Sequence, residues 1–148
     1  MTSDLEALYR DVILDHNKRP RNRRVLEAGR KAEGSNPLCG DRLTVYLRID
    51  DGTITDAAFQ GFGCAIAMAS ASLMTECVKG KTLAQAQALF DRFLQMITAP
   101  AEAPVDDLGD LSAFAGVRQF PVRVKCATLP WQALRAAAAG RVEVVSTE

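Results

Sequence analysis

The 148-residue sequence predicts an α+β fold in which a β-hairpin stands among helices. Three observations predict it. Residues 43–49 alternate Leu43, Val45, Leu47 and Ile49 against Thr44, Tyr46 and Arg48, the two-residue period of a half-buried strand. Asp51-Gly52 then supplies a hairpin turn. On either side of this region, apolar residues recur at helical spacing. A chain of this length is expected to form one domain spanning 1–148.

The first helix is expected from a cap at Ser3 or Asp4, with Leu5, Leu8, Val12 and Ile13 inward, and to stop near His16, because Pro20 and a basic run follow. Residues 29–37 (GRKAEGSNP) read as an exposed loop. A two-residue turn at Asp51-Gly52 makes paired positions across the hairpin sum to 103, and that ladder, extended, sets Cys39 opposite Cys64. The alternation of the returning strand, residues 53–60, is imperfect, so a bulge would shift this register by one. In either register, Cys39–Asp41 meets Gly63-Cys64 at one end of the hairpin. A helix follows from residue 65 to about 79, with Ile66, Leu73 and Cys77 on one stripe. Gly80 ends it. Thr82 caps the next helix, which runs to about Ile97 with Leu83, Ala86, Leu89, Phe90, Phe93 and Leu94 inward. Residues 98–110 form a connection. The last helical region spans roughly Pro121–Ala139, and Pro130 either kinks it or opens a new helix, because it cannot donate to the carbonyl of Cys126.

Hydrophobic residues make up 48% of the chain and charged residues 24%, a globular composition. The formal net charge of zero argues against a general nucleic-acid role. No apolar run approaches the roughly 20 residues of a membrane span, and the N-terminus lacks a signal core. The expected location is the cytoplasm. Between Lys18 and Lys31 there are seven basic residues against the single acid Glu27, which reads as a solvated surface or, alternatively, a basic docking edge. Glu102, Asp106, Asp107 and Asp110 form an acidic counterpart.

Four cysteines in a reducing compartment do not suggest two disulfides, and their spacing is not that of CxxC pairs. Cys39-Gly40-Asp41 places two anionic donors one residue apart. Cys64 stands at a strand-to-helix junction, where the helix dipole favours thiolate. Cys126 supplies a third sulfur. Three thiolates and a carboxylate suit tetrahedral zinc, with Zn–S near about 2.3 Å, and equally an iron–sulfur cluster. Cys39, Asp41, Cys64 and Cys126 are therefore the expected ligands of one metal, whereas Cys77, on an apolar stripe, reads as a small buried hydrophobe.

The segments DHNKRPRN (15–22), NPLCGD (36–41), GFGCAIAMASASLMTE (61–76), VKGK (78–81) and VRVKCATL (122–129) closely resemble the IscU/NifU-N/SufU family of iron–sulfur cluster assembly proteins. The resemblance spans most of the chain and is strongest to the SufU branch. Scaffolds of the IscU type carry a histidine just before the last cysteine, where this chain has Lys125, and GDLSAFAGVRQF (109–120) resembles an insertion characteristic of SufU proteins. The position of Pro130 is often alanine in the family.

The resemblance implies a small, about three-stranded antiparallel sheet with helices packed on one side. It implies zinc held by Cys39, Asp41, Cys64 and Cys126, and Cys39 as the persulfide acceptor that leaves the metal to take sulfur from a SufS-type cysteine desulfurase. Arg123 is implied in engaging the desulfurase, and Lys125 would stabilise nearby negative charge. Such a protein is a sulfur carrier rather than a stand-alone turnover enzyme, and it would hand sulfur on to downstream scaffold proteins. Two alternatives stand beside this expectation: a scaffold holding a [2Fe–2S] cluster or iron on the same residues, and a zinc-stabilised interaction module without sulfur chemistry.

Overall fold

The computed structural model describes residues 2–27, 29–105, 108–141 and 144–146, with the backbone alone for 2–9. Helix α1 (Thr2–Lys18) leads into strands β1 (Arg30–Asn36), β2 (Asp41–Asp50) and β3 (Thr53–Phe62). Helices α2 (Ala65–Val78) and α3 (Leu83–Thr98), a 3₁₀ helix (Gly109–Val117), α4 (Pro121–Ala138) and a two-residue strand β4 (Val145–Ser146) follow. The sheet order is β3-β2-β1-β4, antiparallel throughout except that β4 lies parallel to β1.

The hairpin forms where the alternation places it. Asp50 pairs with Thr53 and Ile49 with Ile54, and then an irregularity after Arg48 moves the register by one, so that Arg42 faces Phe62. Leu43, Val45 and Leu47 of β2 point into the core, while Arg42 and Arg48 face solvent. One face of the sheet is thus covered, by α4 against β1 and β2 and by α2 against β3.

Several expectations are corrected. Residues 30–36 are not a loop but β1, which pairs along its whole length with β2. Its inward positions are Ala32, Gly34 and Asn36, too small or too polar to show a hydrophobic alternation. The reason is α4: a Cβ on Gly34 would come within 2.9 Å of Leu129 Cδ1. A close helix selects small residues beneath it. Helix α1 begins at Thr2, so Ser3 and Asp4 lie within its first turn rather than before it, and its end at Lys18 is close to the expected one. Pro130 is neither a boundary nor the start of a new helix, since α4 runs through it.

Helix α2 is enclosed rather than amphipathic, being buried from Ala67 through Thr75. Its buried hydroxyls are all engaged. Ser70 Oγ donates to Ala127 O and accepts from Trp131 Nε1, Ser72 contacts His16 Nδ1 and accepts from Arg21 N, and Thr75 Oγ1 donates to Ser72 O. Gly80 follows α2 at φ +83°, and the capping box of Thr82 with Gln85 opens α3 as expected. Trp131 stacks on Phe93 at 5.0 Å and on Phe90 at 5.8 Å, with Phe114 of the 3₁₀ helix edge-on to Phe93.

The basic segment is largely occupied by the chain's own acceptors. Arg19 and Arg21 pair with Asp15, Arg24 with Asp56, Arg23 donates to Gly61 O and Arg30 to Ala138 O. These contacts strap the segment along α1, β3 and α4, which favours a structural role over a docking edge. Of the acidic stretch, Asp106 and Asp107 lie outside the described residues.

Candidate metal and thiol centre

Three elements deliver the predicted residues to one place. Cys39 lies in the tight turn between β1 and β2, where its N–H donates to Asn36 O at 3.2 Å and Gly40 adopts φ +70°. Asp41 opens β2 on its inward face and is 1% exposed. Cys64 is the N-cap of α2, and its sulfur accepts from Ala67 N at 3.5 Å. Cys126 comes from the buried face of α4.

Asp41 ties the hairpin to the helix. Its Oδ1 accepts the Cys64 N–H at 2.7 Å, which satisfies a donor at the helix start and leaves Oδ2 3.9 Å from Cys64 Sγ. Gly63 makes room for this carboxylate, because a Cβ there would fall 2.6 Å from Asp41 Oδ1. Cys126 Sγ donates to Cys39 Sγ across 2.8 Å, and both thiols are free. Burial pushes the Cys126 thiol well above its ordinary value, and its contacts with Cys39, Asp41 and Cys64 push the same way. Negative charge on this sulfur therefore calls for a positive partner.

Ligand atoms of Cys39, Asp41 and Cys126 all lie within 4.8 Å of one another, close enough to hold one metal ion, and Cys64 adjoins this trio through Asp41. The structure thus brings together all four predicted residues, with Cys64 beside the trio rather than within it. Thiol and carboxylate donors in this number fit a thiophilic divalent cation.

The cluster opens to solvent through a cleft of about 540 Å³, lined by Leu38, Cys39, Cys64, Phe120, Val122 and Arg123. Cys126 is fully buried at its back. Leu38, Phe120 and Val122 of the lining are large apolar side chains exposed by 49–66%. Arg123 joins the cleft wall. Lys125 precedes Cys126 in α4 and is half-buried, outside the cleft lining.

Sequence reasoning missed Asn36. It is fully buried, and its Nδ2 donates to Cys126 Sγ at 3.6 Å. The signal was its place in NPLCGD, obscured by reading residues 29–37 as a loop. His16 lines a separate cleft of about 380 Å³ with Cys77. Its Nδ1 is engaged by Ser72, and burial raises the Cys77 thiol, so the two do not form an activated pair.

None of the described helices is long and apolar enough to cross a membrane. Residues 8–127 match the NifU-like N terminal domain. The chain is 45% identical over 132 residues to the zinc-dependent sulfurtransferase SufU of Bacillus subtilis, covering 89% of this chain and 90% of that protein. It is 41% identical to the iron-sulfur cluster assembly scaffold protein IscU of Streptococcus pyogenes, covering 91% of this chain and 85% of that one. Among solved structures, the N-terminal part of a nitrogen-fixing NifU-like protein from Brucella abortus superposes with a TM-score of 0.80 at 28% identity, over 92% of this chain and 95% of the other. On these matches, the chain belongs to the NifU-like N-terminal domain family.

Proposed function

We propose that this protein is a zinc-dependent sulfur acceptor in iron–sulfur cluster assembly, in which Cys39 receives the sulfane sulfur of a SufS-type cysteine desulfurase. The observation that carries the reading is the asymmetry of the three sulfurs. Cys39 and Cys64 both line the open cleft, but Cys39 stands in a turn, whereas Cys64 is fixed as the cap of α2 and Cys126 is sealed in α4. The name of the Bacillus subtilis relative supports zinc.

Cys39, Asp41, Cys64 and Cys126 would hold the zinc, which when bound supplies the positive charge that keeps buried thiols ionised. The chain's own residues do the rest. Asp41 fixes the start of α2 through the Cys64 N–H. The exposed Leu38, Phe120 and Val122 offer an apolar rim that a partner would cover, excluding water as sulfur passes. Arg123 in the cleft wall would meet an anionic group on the desulfurase, and Lys125 beside Cys126 would add positive potential. Sulfur would then pass to downstream scaffold proteins. A thiol-based sulfur carrier needs a reducing compartment, and the location that goes with this reading is the cytoplasm.

A scaffold role, with a [2Fe–2S] cluster or iron on the same four residues, is the second reading, favoured by the similarity to the Streptococcus pyogenes scaffold. Lys125, where a ligating histidine would otherwise stand, favours the first. The deciding experiment incubates the zinc-loaded protein with a SufS-type desulfurase and cysteine, followed by peptide mass spectrometry. A gain of about 32 Da on Cys39, abolished in Cys39→Ala, is expected. Full stimulation of the desulfurase by Cys39→Ala, or visible charge-transfer bands with iron in place of zinc after anaerobic purification, would overturn the reading.

A further inference from the structure

Asn36 braces both sulfurs at the back of the site. Its main-chain carbonyl accepts the Cys39 N–H at 3.2 Å, and its side-chain Nδ2 donates to Cys126 Sγ at 3.6 Å. It is fully buried at the end of β1, opposite Asp41 in the sheet register. Its Oδ1 is buried with no hydrogen-bond partner among the described residues. An unpaired buried acceptor is unfavourable, and an apolar residue at this position would avoid it. The amide is therefore accounted for by its N–H groups rather than by packing.

Those N–H groups bear on a hazard built into the cluster. Sulfur carried on Cys39 lies next to a second thiol, because Cys126 Sγ is 2.8 Å from Cys39 Sγ. If the Cys126 sulfur attacked Cys39 Sγ, a Cys39–Cys126 disulfide would form and the Sγ–S bond of the persulfide would break. The outer sulfur would leave with the bonding electrons and the Cys126 proton as hydrosulfide. Two thiol sulfurs are oxidised as the sulfane sulfur is reduced, so no outside oxidant is needed. The cargo would be lost before any acceptor arrived.

We propose that Asn36 is the positioning residue that keeps Cys126 from discharging the sulfur held on Cys39. This rests on the sulfur-acceptor reading above. The N–H···S contact withdraws electron density from Cys126 and, with the main-chain bond to Cys39, fixes how the two sulfurs face each other. Cys64 has an equivalent donor in the Ala67 N–H.

The test uses the zinc-loaded native protein, Asn36→Leu, which keeps nearly the same volume without an N–H, and Asn36→Ala. Each is loaded with inorganic polysulfide, so that no partner protein is involved, and hydrosulfide release and disulfide formation are followed by mass spectrometry. Both variants are expected to release hydrosulfide about 10-fold faster than the native protein and to accumulate the Cys39–Cys126 disulfide. Limited alkylation of the same zinc-loaded samples is expected to shift from Cys39 toward Cys126. In the cobalt-substituted variants, the thiolate-to-metal band is expected to move to lower energy. If Asn36→Leu fails to fold, Asn36→Ala decides. Native release rates and native alkylation ratios in the folded variants would overturn the proposal. Should the native protein take up no sulfur on Cys39, the sulfur-acceptor reading falls, and the alkylation ratio and the cobalt band still decide whether Asn36 restrains Cys126.

Discussion

Asp41→Ala separates the two tasks of the carboxylate. In the metal-free protein it removes the acceptor of the Cys64 N–H, a 2.7 Å bond to a side chain that is 1% exposed. A charge-assisted hydrogen bond of this kind contributes about 1.5–3 kcal/mol, so the urea midpoint of the metal-free protein should fall accordingly. In the zinc-loaded protein one of four donors is also lost. Structural zinc binding is worth roughly 10–16 kcal/mol, about 2.5–4 per donor if shared equally. Water replacing the carboxylate oxygen recovers part of this, leaving an affinity about 10- to 100-fold weaker. Competition against a chromophoric chelator at neutral pH measures the second effect, and urea unfolding after chelation measures the first. Asp41→Asn keeps an oxygen for the Cys64 N–H but not the charge, so it should retain the metal-free stability and still weaken zinc. An Asp41→Ala protein that binds zinc within about two-fold of the native value would remove Asp41 from the ligand set and refute the reasoning.

His16 should make the metal-free protein less stable on the acid side. Burial, followed by the charge of Arg21, holds its pKa below the ordinary 6.5, against the opposing pull of Asp15, Asp110 and Glu76. Its contribution is then fully present above 6.5 and is lost as the pH falls from there toward the folded value, because the unfolded chain takes up the proton first. The difference in urea midpoint between the native protein and His16→Asn should shrink over that window, and a difference constant with pH would contradict the assignment. Removing zinc should leave the fold standing, since the core around Trp131, Phe90, Phe93 and Phe114 is held by apolar and aromatic packing that needs no metal ligand. Hydrogen exchange should quicken only around residues 36–41, 63–67 and 122–127, and global unfolding on chelation would show that zinc, not the core, holds the chain together.

The hairpin was legible because alternation and turn agree, Leu43, Val45 and Leu47 inward with Asp51-Gly52 between the strands. Even its bulge left a trace in the broken pattern of residues 53–60. The edge strand β1 was not legible, because the periodicity that announces a strand depends on large inward side chains. Where α4 crosses at Gly34 there is room for none. Losing β1 hid Asn36, whose inward direction follows only from pairing with Asp41. The enclosure of α2 was equally hidden, since burial on all sides erases the stripe from which an amphipathic helix is read. The four site residues were found by their chemistry and by a resemblance that extends over most of the chain. Neither could say which sulfur lies deepest.

That ordering follows from the elements that carry the sulfurs. Cys126 is one turn before Pro130 on a helix packed against β1, β2 and α2, and moving it would disturb Leu129 and Trp131, both fully buried. Cys64 is the cap of α2, so moving it would unsettle the first turn and the bond to Asp41. Cys39 occupies a four-residue turn, Pro37–Gly40, beneath an exposed Leu38. Among the described residues its hydrogen bonds are the N–H bond to Asn36 O and the contact between its sulfur and Cys126. A ligand that departs and returns must sit where displacement costs least, and among these three that place is the turn. Leu38, Phe120 and Val122 stand exposed at this opening, whereas Asn36 is buried with Cys126. Under the proposed function, the front of the site would admit a partner's sulfur, while the back would be kept from reacting with it.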